Sequence, residues 1–135
     1  MIQTSYFAQI KALREGGVID RCVPICRHMP RWLAGEVRLR RYARLAPPAD
    51  LLGALKEGWA SWEKFAAAYR REVLGALDVD EVLGELAEIA PEGAILMCYC
   101  KGEGGRCHRH LVAAWLGERV EVREWEPPSP QASLF

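Results

Sequence analysis

The fold of this protein is decided by AILMCYCKGEGGRCHRHLVAAW, residues 94–115 of the chain. A short apolar run at 94–99 predicts a buried strand, and the glycine-rich residues at 101–106 predict a loop. A helix is expected to begin near Cys107, because apolar side chains recur from Leu111 onward at the spacing of one helix face. A strand, loop and helix in this order present free backbone N–H groups and the positive end of a helix dipole to an anion.

Strands and helices alternate on both sides of this unit. The alternation predicts an α/β domain of three layers, in which a mainly parallel sheet of about four strands is flanked by about five helices. Pro24 indicates that the second strand lies at an edge of the sheet, and Asp50 and Ser61 are expected to cap helices. The other predicted strands cover 1–5, 18–26 and 120–125, and the other predicted helices cover 7–14, 51–57, 61–77 and 80–90.

The composition indicates one domain with an uneven charge distribution. Half of the 135 residues are hydrophobic, so we expect a single domain at 1–126 followed by a proline-rich tail at 127–135. The formal net charge is zero, and the total charge therefore gives no argument for nucleic-acid binding. Residues 21–44 hold seven arginines and one acid, whereas 78–92 hold six acids and no base, which predicts one positive and one negative surface.

The chain shows no sequence feature of a secreted or membrane protein. No basic segment followed by an apolar run opens the sequence, and no apolar stretch reaches the length of a bilayer-spanning helix. We therefore expect a cytoplasmic protein without a membrane partner. Five cysteines in that reducing compartment favour metal binding, catalysis or inert burial over a disulfide framework.

Polar and reactive residues follow three of the predicted strands. Ligands of parallel α/β sheets bind beyond the carboxyl ends of the strands, so these residues are expected to meet at one edge of the sheet. They are Thr4, Ser5 and Tyr6 after the first strand, Cys26 and Arg27 after the second, and the residues from Cys98 to Cys107, which include Cys100, after the third.

Cys107 lies where the last helix is expected to begin, next to His108 and close to Arg109. A thiol at a helix N-terminus beside positive charge should have a lowered pKa and be a better nucleophile. Arg109, in the first turn, can bind a phosphate or carboxylate through two hydrogen bonds. The structural alternative is that Cys107 is only a small capping residue and that Arg109 forms a surface ion pair.

A zinc site is a second interpretation of the same stretch. Cys98, Cys100, Cys107, His108 and His110 have side chains that suit zinc. Their spacing differs from the paired cysteines of a standard structural zinc site, however. Cys98 can equally be an ordinary buried strand residue, because free cysteines are among the most buried residue types.

Aromatic residues accompany the arginine-rich segment and the clearest predicted helix. Trp32 and Tyr42 lie among the arginines of 21–44, a combination that binds nucleic acid when the rings stack on bases, although charged segments are usually only solvated. The stripe formed by Trp62, Phe65 and Tyr69 is expected to belong to the core.

Several short motifs resemble those of the domain-of-unknown-function family 488. Cys98-Tyr99, followed by Cys107-His108-Arg109-His110-Leu111-Val112, is similar to the C-terminal signature of that family. Thr4-Ser5-Tyr6 and Pro24-Ile25-Cys26-Arg27 stand where the family has its strand-end motifs, but this chain keeps only the arginine of the frequent Asp-Val-Arg. The resemblance covers nearly all of 1–125 and implies a small cytoplasmic α/β domain without an established reaction. Cys100 stands where the family often has an acid, so any catalytic role of that acid is lost here or passes to a thiol.

The C-terminal pentapeptide carries a separate resemblance. Residues 131–135, QASLF, are similar to the peptide through which bacterial DNA polymerases and repair factors bind the sliding clamp. In that motif Gln131 would bind the clamp rim while Leu134 and Phe135 fill an apolar pocket, although the second position is usually leucine. The preceding proline-rich residues give such a motif the spacer that it needs. Alternatively, these apolar residues dock on the parent domain.

The leading hypothesis is an enzyme that binds an anionic, phosphate-containing ligand, in the setting of nucleic-acid metabolism or repair. Two alternatives remain, a non-catalytic module that binds nucleic acid or protein, and a scaffold stabilised by zinc. The leading hypothesis requires no metal and no cofactor. Its catalytic residues are Cys107, His108 and Arg109, and its ligand-binding residues are Thr4, Ser5, Tyr6, Arg27, Cys98 and Cys100.

Overall fold

A computed structural model describes residues 1–33, 39–99 and 106–128 of the chain. Within them, four parallel strands form one sheet in the order β2-β3-β1-β4, and the five α-helices confirm the predicted α/β class. No helix in these ranges has the length and hydropathy needed to cross a membrane. The strands are β1 (Ile2–Tyr6), β2 (Cys22–Pro24), β3 (Ile95–Cys98) and β4 (Val122–Glu124). The helices are α1 (Ile10–Glu15), α2 (Ala49–Lys56), α3 (Trp62–Glu72), α4 (Val79–Ile89) and α5 (His108–Leu116).

The strand β3 is the centre of the fold, as the apolar run at 94–99 predicts. All four of its residues are buried, and β1 and β2 pair with it on either side. Because strand side chains alternate between faces, Leu96 packs with the core under α3, α4 and α5, while Met97 packs with the core under α1. The sheet is therefore covered on both faces, in the three layers expected from sequence.

The strand β2 is an edge strand, as Pro24 predicts, but it is shorter than predicted. A 3-10 turn at Ile19–Arg21 occupies the residues before it, so only Cys22–Pro24 belong to the sheet. Val18 and Ile19 instead pack against the core cluster beneath α1. Apolar, β-branched side chains fit a partly buried turn as well as a strand, so composition alone does not distinguish the two.

Three helix boundaries differ by two or more residues from the sequence prediction. The first is the start of α1, which begins at Ile10 rather than at 7 because a 3-10 turn at Phe7–Gln9 precedes it. The helix α3 ends at Glu72 rather than near 77, because a 3-10 turn at Leu74–Ala76 follows it. Leu74 is buried in that turn, so the apolar periodicity continues past the end of the helix. The predicted cap Asp50 is wrong, since α2 begins at Ala49 with Pro48 in the N-cap position. The Ser61 cap is confirmed, because its Oγ accepts a hydrogen bond from the Lys64 amide.

Gly93 turns the chain from α4 into β3, and its substitution is expected to destabilise the fold. Its φ of +113° is rarely adopted by L-residues, and a Cβ there would lie 2.6 Å from the Met1 carbonyl oxygen. Gly93→Ala should therefore cost about 1–3 kcal/mol of unfolding free energy. The matched control is Gly84→Ala in α4, where a Cβ meets open space, and it should stabilise by up to about 1 kcal/mol. Urea unfolding of both variants measures this, and equal effects of the two would contradict the strained turn.

Candidate active site

The end of β3 and the start of α5 bring two thiols and an imidazole together. Cys98 is the last residue of β3, Cys107 is the N-cap of α5, and His108 is its first residue. One sulfur or ring nitrogen from each of the three lies within 4.8 Å of the others. All three side chains are buried. The cluster thus arises within the stretch 94–115, by the strand and helix that its sequence predicts.

His108 is held between the edge strand and the cluster. Its Nε2 lies 2.9 Å from the carbonyl oxygen of Ile25, and its Nδ1 lies 3.3 Å from Cys98 Sγ. A carbonyl oxygen only accepts hydrogen bonds, so Nε2 carries a proton and donates it. In the neutral imidazole Nδ1 is then the acceptor, and the Cys98 thiol donates to it. The Tyr69 ring packs edge-on against the imidazole, with centroids 5.7 Å apart, and helps to fix its orientation.

Arg109 is buried behind the cluster in an ion pair with Glu124 of β4. Its Nε and Nη2 donate to the two carboxylate oxygens at 3.1 and 2.9 Å. Thr4 Oγ1 donates to the same carboxylate at 2.7 Å, and the guanidinium lies 5.2 Å from the centre of the Tyr6 ring. The guanidinium also forms a hydrogen bond with the side chain of Cys107. One cation therefore joins the carboxylate of the last strand to the thiol at the helix start.

This position corrects the expected role of Arg109. The sequence predicts a clamp on the ligand, but the side chain is fully buried and its charge is balanced inside the protein. The helix α5 packs on β1 and β4, so the guanidinium reaches Glu124, and Arg109 itself is not among the described residues that line the cavity. Arg109 is thus a positioning residue for Cys107.

The ionisation of this pair follows from its contacts. Burial alone would lower the pKa of Arg109, but the hydrogen bond to Glu124 and the charges of Cys107 and Glu124 raise it above its ordinary value. Burial alone would raise the pKa of Glu124, but the hydrogen bonds from Arg109 and Thr4 lower it. Both groups are therefore charged at neutral pH, so a permanent cation lies against Cys107.

Two other cysteines, Cys22 and Cys26, pack in the core cluster beneath α1 and have different electrostatics, although Cys26 also lines the cavity that borders the thiols and imidazole. Burial raises the pKa of Cys22 to about 12, and burial also raises that of Cys26. The Cys26 thiol donates a hydrogen bond to the His28 carbonyl oxygen, with the sulfur 3.1 Å from the oxygen. Both of these thiols therefore remain protonated at neutral pH, in contrast to a thiol that is hydrogen-bonded to a guanidinium.

A cavity of about 440 Å³ lies against the cluster, beyond the carboxyl ends of β2 and β3. The helices α2 and α3 form an apolar wall opposite the thiols, and this wall includes Trp62 and Phe65. Cationic side chains contribute from three separate segments of the chain. The described lining residues are Cys26, Arg27, His28, Pro47, Leu52, Leu55, Lys56, Trp62, Phe65, Cys98, Tyr99, Arg106, Cys107 and His108.

Four of the predicted site residues share this cavity, and Ser5 does not. Arg27, Cys98, Cys107 and His108 all line it. Ser5 pairs with Met97, and its side chain lies on the face of the sheet that packs under α1. Its buried Oγ has no hydrogen-bond partner among the residues described by the structure. Thr4, Ser5 and Tyr6 belong to β1, and strand alternation therefore overturns the expectation that all three face one site.

Thr4 and Tyr6 serve the Arg109–Glu124 pair rather than the cavity. Thr4 donates to Glu124, and Tyr6 lies beneath the guanidinium. Both alternate with Ser5 and so lie on the α5 side of the sheet. The remaining predicted residues, which are Cys100, Gln131, Leu134 and Phe135, lie outside the described residues.

Three arginines of the segment 21–44, which are Arg21, Arg41 and Arg44, form contacts within the fold, and Arg27 lines the cavity. Arg21 donates to the Gly93 carbonyl oxygen at 2.7 Å and to Gln3 at 2.8 Å. Arg44 forms ion pairs with Glu81 and Glu85 of α4, so the predicted positive and negative surfaces meet there.

The two aromatic residues of that segment have different environments. Tyr42 is buried and donates to Glu85 at 3.0 Å, which excludes it from stacking on a base. Trp32 is 57% exposed. Of the pair predicted to stack on nucleic acid, one ring is thus available.

Two features of the site were missed at the level of sequence. No sequence pattern indicates that Glu124 belongs to the site, because an acidic residue in a strand of alternating polarity ordinarily faces solvent. The wall formed by α2 and α3 was also missed, since the apolar stripe that predicts a core helix also fits the side of a cavity. Both features depend on contacts between distant parts of the chain.

A protein-family model matches most of the chain. It is DUF488-N3a, described as the active DUF488-N3 subclade, and it covers residues 4–120, which include every described residue that lines the cavity. The comparisons with curated proteins and with solved structures found no significant match. The resemblance drawn from the Cys98-Tyr99 and Cys107-His108-Arg109 motifs is confirmed. The chain belongs to the DUF488-N3a family.

Proposed function

We propose that this protein is a cysteine-dependent enzyme that acts on a small ligand with a phosphate group and a flat apolar part. The observation that carries the proposal is the environment of Cys107, which borders the cavity while its side chain is hydrogen-bonded to the buried Arg109 guanidinium. A cation in contact with a thiol favours the thiolate, which is the nucleophilic form. The description of the matched family as the active subclade supports an enzyme.

The proposed roles follow from the contacts of each side chain. Cys107 is the nucleophile, and the positive end of α5 adds to the stabilisation of its thiolate. His108 is the acid/base residue, because Ile25 fixes its tautomer and leaves Nδ1 directed toward the thiols. Arg109 is a positioning residue that holds the thiolate in place. In the covalent step Sγ of the Cys107 thiolate bonds to an electrophilic atom of the substrate, and the bond to the leaving group breaks. His108 Nδ1 takes the proton that the Cys98 thiol donates to it, and the leaving group takes that proton from the imidazolium.

The ligand class follows from the composition of the cavity. Arg27, Lys56 and Arg106 bring positive charge to it without an acidic residue among the described lining residues. Guanidinium groups bind phosphate through charge-assisted hydrogen bonds. Trp62 and Phe65 offer apolar ring surface, and the volume lies within the range of small-molecule sites. A nucleotide-like molecule combines these two properties.

Protection of Cys107 from alkylation tests this proposal. A nucleoside 5′-monophosphate is expected to slow the modification of Cys107 by iodoacetamide at lower concentration than the nucleoside or inorganic phosphate alone. Arg27→Gln should weaken this protection about 10-fold, since one charge-assisted hydrogen bond contributes about 1.5–3 kcal/mol in a dry site and less at a partly exposed one. The control is Arg14→Gln in α1, an exposed residue that does not line the cavity.

Two outcomes would contradict the ligand class. Equal protection by the nucleoside and its phosphate would remove the anion from the proposal. Equal weakening by Arg27→Gln and Arg14→Gln would show that total charge, rather than the cavity, attracts the ligand.

A further inference from the structure

We propose that Cys98, Cys107 and His108 together bind one zinc ion, with its fourth coordination position directed into the cavity. The inference goes beyond the proposed function, because the ion would use the Cys107 thiolate as a ligand and withhold it as a nucleophile. The metal-bound and the reactive states of the protein would then exclude each other. Within the described residues, this is the group of three metal-ligating side chains that the fold brings together.

The distances in the cluster suit a zinc ion. Zn–S bonds of about 2.3 Å and Zn–N bonds of about 2.0–2.1 Å place tetrahedral ligand atoms about 3.4–3.8 Å apart. Cys98 Sγ and His108 Nδ1 are 3.3 Å apart, and all three ligand atoms lie within 4.8 Å of one another. Side-chain rotations that move the sulfur atoms by about 1 Å or less would therefore complete the site.

The imidazole is already oriented as a metal ligand. A ligating histidine commonly donates its second N–H to a backbone carbonyl, which fixes the tautomer. His108 does this through Nε2 and Ile25, and it leaves Nδ1 facing Cys98. On binding, the ion replaces the thiol proton that Cys98 shares with Nδ1.

The charges of the cluster also balance. Two thiolates neutralise a divalent ion, while the positive charge of Arg109 is already paired with Glu124. Two thiolates and one imidazole with an open fourth position form a ligand set that zinc adopts at reactive sites. His110, the other predicted ligand near Cys107, lies 3.8 Å from the Glu124 carboxylate and belongs to that pair instead.

Titration of the reduced, metal-free full-length chain with Cd²⁺ and Co²⁺ tests the site. We expect one ion per chain, displacement by Zn²⁺, and release of about one proton per ion at neutral pH, which comes from the Cys98 thiol because Cys107 is already a thiolate. The ¹¹³Cd chemical shift of the wild-type protein should report two sulfur ligands. Cys98→Ser and Cys107→Ser should each lower the affinity about 100-fold or more. Cys22→Ser, whose thiol lies on the other face of the sheet, should leave it unchanged.

The wild-type spectrum keeps the test decisive if a variant does not fold. The inference is overturned by the absence of a stoichiometric ion, by a ¹¹³Cd shift that reports one, three or four sulfur ligands, or by an affinity that Cys98→Ser leaves intact. One equivalent of Zn²⁺ should block the alkylation of Cys107, and a chelator should restore it. Reactive Cys107 without metal binding would contradict this inference alone, whereas metal binding with an unreactive Cys107 in the metal-free chain would contradict the proposed function alone.

Discussion

Replacing Glu124 with glutamine is expected to destabilise the protein by about 2–4 kcal/mol, because the fully buried Arg109 loses its balancing charge. Breaking a buried pair from one side usually costs about 3–5 kcal/mol, and the 38% exposure of the Glu124 side chain reduces that cost through solvent screening. The loss is large relative to the roughly 5–15 kcal/mol that stabilise a typical domain. Urea unfolding followed by circular dichroism measures it.

The matched control for Glu124 is Glu121, the residue directly before β4. Glu121 forms a surface ion pair with Arg123, and both side chains are more than half exposed. Glu121→Gln should therefore change the free energy of unfolding by less than about 0.5 kcal/mol. Equal losses in the two variants would show that the Arg109–Glu124 pair does not stabilise the site.

The same pair gives a pH dependence with a defined sign. The pKa of Glu124 is lowered from its ordinary value of 4.5 in the folded protein. Its contribution to stability is thus fully present above about pH 4.5 and is lost as the pH falls through the folded-state pKa. The difference in stability between the wild type and Glu124→Gln should accordingly be largest near neutral pH and shrink on acidification.

Cys107→Ser is expected to remove the fast phase of thiol alkylation and to lower the total rate about 100-fold at pH 7. Cys22 and Cys26 have raised pKa values, and that of Cys22 reaches about 12, so these two thiols react slowly. Cys22→Ser is the control and should keep the fast phase. Mass spectrometry of the labelled peptides locates the modification. A fast phase that persists in Cys107→Ser, with the label on Cys98, would identify Cys98, the hydrogen-bond partner of His108, as the nucleophile.

The local part of the site could be predicted from sequence, and its long-range part could not. The apolar run at 94–99, the glycines and the helix face after Cys107 are local signals. The sequence therefore predicts the strand, the start of the helix and the clustering of cysteine and histidine. The contact between Arg109 and Glu124 joins α5 to β4, and no pattern within either element encodes it. The sequence therefore predicts that Arg109 binds the ligand, whereas in the structure it pairs with Glu124.

The errors in the fold have a common physical origin. Periodicity reports which side chains are buried, but it does not report the backbone that buries them. Leu74 lies in a 3-10 turn and is nevertheless buried, so the apolar periodicity continues past the end of α3. Ser5 was assigned to the site by its place after a strand, although alternation turns its side chain to the other face. The core prediction for Trp62 and Phe65 is confirmed, but the periodicity does not report that they also line the cavity.

The most direct test of the proposed chemistry is the rate of alkylation of Cys107 at pH 6, compared with that of a free model thiol in the same buffer. A free thiol with a pKa of about 8.5 is almost entirely protonated at this pH. If the Arg109 guanidinium holds Cys107 as a thiolate, Cys107 will react faster than the free thiol. A rate no faster than that of the free thiol would contradict the assignment of Cys107 as the nucleophile.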